Sequence, residues 1–504
     1  MQVLRELVQI ITRIKLRSIR RLGFPFNQDT QLGEMYELLA DQVEDEEVAR
    51  AITDQSSKSG TFRRLKSDLI DRLIASLFLV DLSLPSYNNR QQAYYIIHKN
   101  WAASKILFGK NARMAAVELA EQTLRQALRY EFNDLAFDLS RNLKLHFGTV
   151  AGNHNKYKEY AKECTRLQKV LQAEIMAEDN YTRFISEFVR KKADTAIILE
   201  EAKKAHLSLL PYIEQYDSYT LHLYSGLLEM GIHTAASSYE VADSVCDKLI
   251  AFFEDKEYEA SVPLQIAYYQ KLLCSFQLGK FAQTTDFVIR GLELLQEGSY
   301  NWFKFQETYL VLALHTRQFN TAYEVFCRAT GHARFKAQQE EIQEYWRILE
   351  AYLYFLFEIG ELENAATDKR FTKFRIGRFL NQIPIFSQDK RGVNVSILII
   401  QILLLISQKR YHDTFVKVDA VEQYSRRHLF TKDTLRSFYF LKALLELPKN
   451  SFHKVAVQRK AAKHLEKMRA HPLEEAGQTS FLTEIIPFEL LWEYITGLLD
   501  NDFH

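Results

Sequence analysis

The sequence predicts an all-α protein of stacked helical hairpins, with a separate helical segment at its N-terminus. Three observations carry this prediction. Helix breakers are scarce: the 504 residues include 17 Gly and 8 Pro, where ordinary usage would give about 35 and about 25. Long period-2 alternation, the mark of a half-buried strand, is nearly missing despite 34 Phe and 26 Tyr. Polar breaks also recur at intervals of roughly 40 residues, the size of one helix–turn–helix unit. Length alone would suggest about three ordinary domains, but a helical array grows by stacking rather than around one core. The expected organisation is a helical segment over 1–85, a hairpin array over 86–470 and a C-terminal capping helix over 471–504.

The N-terminal segment opens with MQVLRELVQIITRIKLRSIRR. Leu4, Leu7, Val8, Ile11 and Ile14 share one helical face, and Arg13, Lys15, Arg17, Arg20 and Arg21 crowd the end, where cations favour the helix dipole. The run lacks the uninterrupted apolar core and small-residue cleavage site of a leader. We expect it to pack on the helices that follow; binding to a membrane surface is the other reading. An acidic stretch and the loop DQSSKSG precede a second apolar helix, with Thr61 as its expected N-cap and Leu65, Leu69, Leu73 and Leu77 in register. FRRLK at its start would place Arg63, Arg64 and Lys66 near phosphates if this were a helix-turn-helix.

From residue 86 onward, helices of about 15–20 residues are expected to alternate with short breaks. The candidate hairpin turns are FGKN (108–111), AGNH (151–154), RKKA (190–193), HTAASS (233–238), LGKF (278–281), HTRQF (315–319), IGEL (359–362), SQKRY (407–411) and LPKNS (447–451). The residues after several of them share a spacing. Phe319, Ala322, Phe326 and Ala329 are the fullest case; Tyr239, Ala242, Cys246 and Leu249 follow it except at the end; Phe281, Thr284, Val288 and Gly291 follow it as well. Tyr157, Tyr160, Cys164 and Leu167, like Tyr411, Thr414, Val418 and Val421, keep the apolar spacing only. Leu362 and Ala365 begin it, and Lys369 and Thr372 break it. Residues at i, i+3, i+7 and i+10 lie on one helix face, and small ones let two helices approach closely. This pattern resembles the second helix of a tetratricopeptide repeat. The resemblance spans much of residues 90–470 and departs from the family in its longer spacing and in lacking the regular first-helix Trp, Leu-Gly and Tyr set. It implies a right-handed α-solenoid of about nine hairpins.

The most apolar run is VNVSILIIQILLLI, residues 393–406. At about 21 Å as a helix it is short for a bilayer of roughly 30 Å, and it carries Asn394, Ser396 and Gln401. A helix apolar nearly all round is buried on several sides. The run is expected to form the first helix of the eighth hairpin, between its neighbours, and no membrane span is expected.

Net charge is +1, which disfavours a dominant nucleic-acid or membrane field. Cys164, Cys246, Cys274 and Cys327 lie far apart without a CxxC, so they read as small buried thiols and point to a cytoplasmic protein. No HExxH, P-loop, GxGxxG or Gly-x-Ser-x-Gly motif is present. His412–Asp413 sits at a turn, His222 lies on an apolar helix, and Glu200–Glu201 and Glu340–Glu341 read as solvated faces. We therefore expect no catalytic residues, no metal and no cofactor.

One segment interleaves cations with aromatics: KRFTKFRIGRF, residues 369–379. Lys369, Arg370, Lys373, Arg375 and Arg378 alternate with Phe371, Phe374 and Phe379, and Lys390 and Arg391 follow in the next loop. Those seven cations are the candidate partner-binding residues. The phenylalanines can face the core and leave the cations outside; the cations suit an acidic partner; cations with stacking rings also suit single-stranded nucleic acid. The expected function is a non-enzymatic interaction scaffold that binds a protein or extended peptide, acidic in the simplest case, on a concave surface. The alternative is a nucleic-acid-binding or regulatory protein using Arg63–Lys66 and Lys369–Arg378.

Overall fold

A computed structural model describes residues 4–5, 7–8, 30–78, 89–190, 195–280, 284–365, 368–372, 374–377, 379, 393–429, 434–473 and 483–501. All regular structure among them is helical, with no strand. The chain divides into two compact units, Met1–Gln168 and Lys169–His504.

The first unit contains α1 (Gln31–Ala40), α2 (Asp45–Thr53), α3 (Gly60–Leu77), α4 (Asn89–Gly109), α5 (Arg113–Arg129), α6 (Asn133–Thr149) and the start of α7 (His154–Arg190). Leu4 and Val8 join Met35, Leu39, Val48 and Leu69 in one apolar cluster, with Leu7 half-buried against it. For these residues the N-terminal amphipathic face packs on the following helices as expected; Ile11, Ile14 and the basic residues after them lie outside the described residues. Arg5 anchors this contact through Asp45 and the Val43 carbonyl oxygen. The N-cap of α3 is Ser59 rather than Thr61: the Ser59 hydroxyl accepts the Phe62 N–H at 3.2 Å, and Thr61 already lies inside the helix. A second cluster gathers Ile97, Trp101, Leu124, Leu139, Phe147 and Tyr160 from α4 to α7.

Most described hairpin turns are built alike. Asn111, Ser237, Gly279, Arg317, Gly360 and Lys409 all have φ between 55° and 86°. In each turn the next residue's N–H reaches the carbonyl five positions back, as in Ala112 to Leu107, Gln318 to Ala313 and Arg410 to Leu405. The left-handed residue itself bonds three back, as in Asn111 to Phe108. This is the Schellman arrangement, which satisfies the carbonyls orphaned at a helix end. The same turn occurs at Glu131 between α5 and α6, where helices of about 15–20 residues require a break that the sequence does not locate. An L-residue in this conformation carries strain of about 1–2 kcal/mol, partly offset because glycine costs more unfolded-state entropy. Ser237→Gly is therefore expected to stabilise the fold by about 0.5–1 kcal/mol, read as a higher denaturant midpoint at unchanged slope.

Helix length departs from expectation at α7. It runs unbroken for 37 residues, about 55 Å, because no Gly or Pro interrupts 154–190. The expected break at RKKA falls at its end, and residues 191–194 lie outside the described residues.

The second unit continues with α8 (Thr195–Gln215), α9 (Tyr219–Ala235), α10 (Tyr239–Glu254), α11 (Ser261–Leu278), α12 (Thr284–Glu293), α13 (Tyr300–His315), α14 (Phe319–Gly331) and α15 (Glu340–Glu358). After the single turn α16 (Lys369–Thr372) come α17 (Val393–Ser407), α18 (Tyr411–His428), α19 (Leu435–Leu444), α20 (Glu446–Lys449), α21 (Lys454–Arg469) and α22 (Phe488–Leu498). From α8 to α15 each helix packs against the next in the chain, and α15 packs on α17. α8 continues through Pro211, whose missing N–H leaves the carbonyl of exposed Leu207 without its helical bond.

Residues 394–406 of α17 are all buried, as the apolar run predicts. Their cover comes from α15, α18 and α22. The segment 483–500 thus does more than follow the last hairpin. His315 donates from Nε2 to the Glu484 carbonyl oxygen at 2.5 Å, Arg317 pairs with Glu493 at 3.1 Å, and the Asp500 carbonyl accepts the Lys454 N–H at 2.9 Å. Ile485, Ile486, Phe488, Leu491 and Ile495 are buried beneath these contacts.

The i, i+3, i+7, i+10 spacing marks buried faces. Phe319, Ala322, Phe326 and Ala329 are buried, as are Tyr239, Ala242, Cys246 and Leu249. A Cβ on Gly291 would lie 2.6 Å from the Phe305 ring, so the small residue there sets how closely α12 and α13 approach. Leu249 stands where the spacing calls for a small residue, and the facing helix compensates. A Cβ on Gly226 would lie 2.4 Å from Leu249 Cδ2.

Candidate functional site

The segment 369–379 is built around its aromatics. Phe371, Ile376 and Phe379 are buried. Phe371 sits among Tyr323, Tyr354 and Phe357, with ring centroids 5.8–6.2 Å apart. Phe374 stacks on Tyr354 at 4.3 Å. The rings therefore turn toward α14 and α15 and are engaged there.

Arg370 is drawn into this packing. It forms a bidentate pair with Asp368, 3.1 Å from Nε to Oδ1 and 2.7 Å from Nη2 to Oδ2. It also reaches Thr330 Oγ1 and Cys327 Sγ at 3.0 Å each, and its guanidinium lies 5.0 Å from the Phe326 ring centre. Tyr323 donates its hydroxyl to Asp368 at 2.9 Å. The bonds from Arg370 hold the Asp368 carboxyl down at about 2. Arg370 thus clamps the C-terminal part of α14, with its charge already matched. Lys369 and Arg375 are exposed. Lys373, Arg378, Lys390 and Arg391 lie outside the described residues.

At the N-terminal candidate, Phe62 is buried, Arg63 and Arg64 are exposed and Lys66 is half-buried. The remaining candidates stay apart. His412 is exposed, and its neighbour Asp413 pairs with Arg410 at 2.8 Å instead. His222 is half-buried, bonded through Nδ1 to the Ser218 carbonyl at 2.9 Å and stacked on Phe252. Glu200, Glu201, Glu340 and Glu341 are exposed. Among the described residues no group of three His, Cys, Asp or Glu could hold a metal, and no helix is long and apolar enough to cross a membrane. All four cysteines are free; Cys164, Cys246 and Cys274 are buried, whereas Cys327 is half-buried, with Arg370 Nη2 3.0 Å from its Sγ.

One feature escaped the sequence reading. Lys304 and Glu307 form a 2.9 Å ion pair on α13, with the Glu307 side chain 1% exposed and that of Lys304 31% exposed. Their i, i+3 spacing is visible in the sequence, but it looks like a surface helix pair. Only the burial of Glu307 distinguishes it.

Comparison with family models, with curated proteins and with solved structures finds no match to this chain.

Proposed function

We propose that the chain is a non-enzymatic interaction scaffold: a tetratricopeptide-like, right-handed solenoid of about nine hairpins that binds a protein or extended peptide on its concave face. The observation that carries this reading is the recurrence of one Schellman turn at Asn111, Ser237, Gly279, Arg317, Gly360 and Lys409. Buried small residues at Ala322, Ala329 and Gly291 add to it, in the register of the second repeat helix. Arrays of such units serve chiefly as extended binding surfaces. The buried free thiols suit a reducing compartment, so we place the protein in the cytoplasm.

An acidic partner fits the 369–379 segment better than a nucleic acid does. Lys369 and Arg375 remain exposed, while Phe371 and Phe379 are buried and Phe374 stacks on Tyr354, leaving no free ring for bases to stack on. The test is the double charge reversal Lys369→Glu, Arg375→Glu in the full chain. Partner recovered on the immobilised variant is expected to fall several-fold relative to the wild type, with thermal stability unchanged. Unchanged recovery would remove this segment from the binding surface.

A further inference from the structure

Between α11 and α13, beside the loop after α12, lies an open cleft of about 340 Å³, within the range of small-molecule pockets. Val262, Ile266, Leu295 and Phe305 supply its apolar walls, and Lys304, Tyr269, Asn301 and Gln265 its polar ones, Gln265 Nε2 already donating to the Leu294 carbonyl oxygen at 2.7 Å. Behind Lys304 stands Glu307, fully buried, with Oε1 2.9 Å from the ammonium and Oε2 without a partner.

A buried ion pair is a weak source of stability, because well-packed apolar residues do as well in its place. What this pair achieves is to hold an ammonium in an apolar cleft. Burial works against both charges and pushes the Glu307 carboxyl up, with Lys304 opposing that rise; on the more open Lys304 the pull of Glu307 outweighs burial and holds the ammonium above its ordinary range. An ammonium has three N–H donors and Glu307 takes one. Tyr269 adds a further donor: Thr308 gives its single hydroxyl proton to the Lys304 carbonyl oxygen at 3.1 Å, so its 3.5 Å contact with the Tyr269 hydroxyl is weak and the phenolic proton is open to a ligand's acceptor. Burial raises that phenol's pKa, so the proton stays in place.

We propose that this cleft is a binding site for a small monocarboxylate with an apolar body. The body lies along Val262, Ile266, Leu295 and Phe305, and the carboxylate takes donors from Lys304 and Tyr269. One ammonium and one phenol match a single negative charge; a phosphate dianion calls for more cationic donors than these. This inference stands apart from the scaffold reading, since it needs no macromolecular partner.

The test is calorimetric titration of the full chain with octanoate and with octanamide, which has the same chain and no charge. Octanoate is expected to bind at least tenfold more tightly. Lys304→Gln should bring the two ligands to equal affinity. Because that variant leaves Glu307 without its cation, Ile266→Glu provides a second probe: Ile266 is 37% exposed, so a carboxylate there is compatible with folding and repels the ligand. It should weaken octanoate at least tenfold with the unfolding temperature unchanged. Equal binding of octanoate and octanamide to the wild type, equal octanoate binding by wild type and Ile266→Glu, or no saturable octanoate binding would each overturn the proposal.

Discussion

Replacing Arg436 by methionine is expected to destabilise the protein by about 3–5 kcal/mol, the cost of breaking a buried ion pair from one side. Arg436 is 7% exposed and Glu484 2% exposed. The guanidinium grips both Glu484 oxygens, Nε to Oε2 at 2.7 Å and Nη2 to Oε1 at 2.8 Å, and takes Glu489 at 2.7 Å as well. Burial opposes the arginine charge, but these two carboxylates raise its pKa, so it stays fully ionised. Glu484 Oε1 also accepts the Phe488 N–H at 2.9 Å, which ties the pair to the start of α22. Methionine fills much of the same volume, so the loss measures the Glu484 charge left without a partner. Adding Glu484→Gln should recover most of it, because the neutral amide no longer needs a cation. Equilibrium denaturation of the two single variants and the double variant measures this directly. If Arg436→Met alone costs less than about 1 kcal/mol, the pair behaves as an exposed one, and the 483–500 segment is not held as described.

Gly226→Ala is expected to cost about 2–3 kcal/mol, the upper part of the range for overpacking. The added carbon would meet Leu249 at 2.4, 2.7 and 2.8 Å, and both residues are buried. Leu249→Ala alone removes buried methyl groups and is expected to cost about 2 kcal/mol or more. The double variant should be more stable than the sum of the single losses predicts, because the new methyl fills part of the space the leucine leaves. Strict additivity would show that the two side chains do not share a site.

This pair also marks where the sequence was legible. Leu249 was visible as a large residue in the last, small position of its unit, but its compensation lies on the facing helix and has no local signal. Turns with a Gly or a polar run were readable, and Gly279, Gly360, Asn111 and Lys409 all lie within the quoted breaks. The turn at Tyr130-Glu131-Phe132 was not, because a glutamate between aromatics carries no turn chemistry. The all-round apolar character of α17 announced its burial. That α22 would supply part of the cover was hidden, since the contact joins segments far apart in sequence. In the basic segment, Asp368 stands two residues before Arg370, so their pairing was open to local reading. Cys327 and Thr330, which complete the clamp on Arg370, were not.

The proposed role of this chain, holding a protein partner, is open to direct measurement. Native mass spectrometry of the tagged full-length chain, purified gently at low ionic strength, tests it most directly. The scaffold reading predicts a discrete complex of fixed stoichiometry with another protein, dissociated by Lys369→Glu, Arg375→Glu. A chain that runs alone, or that carries nucleic acid in place of protein, would contradict it.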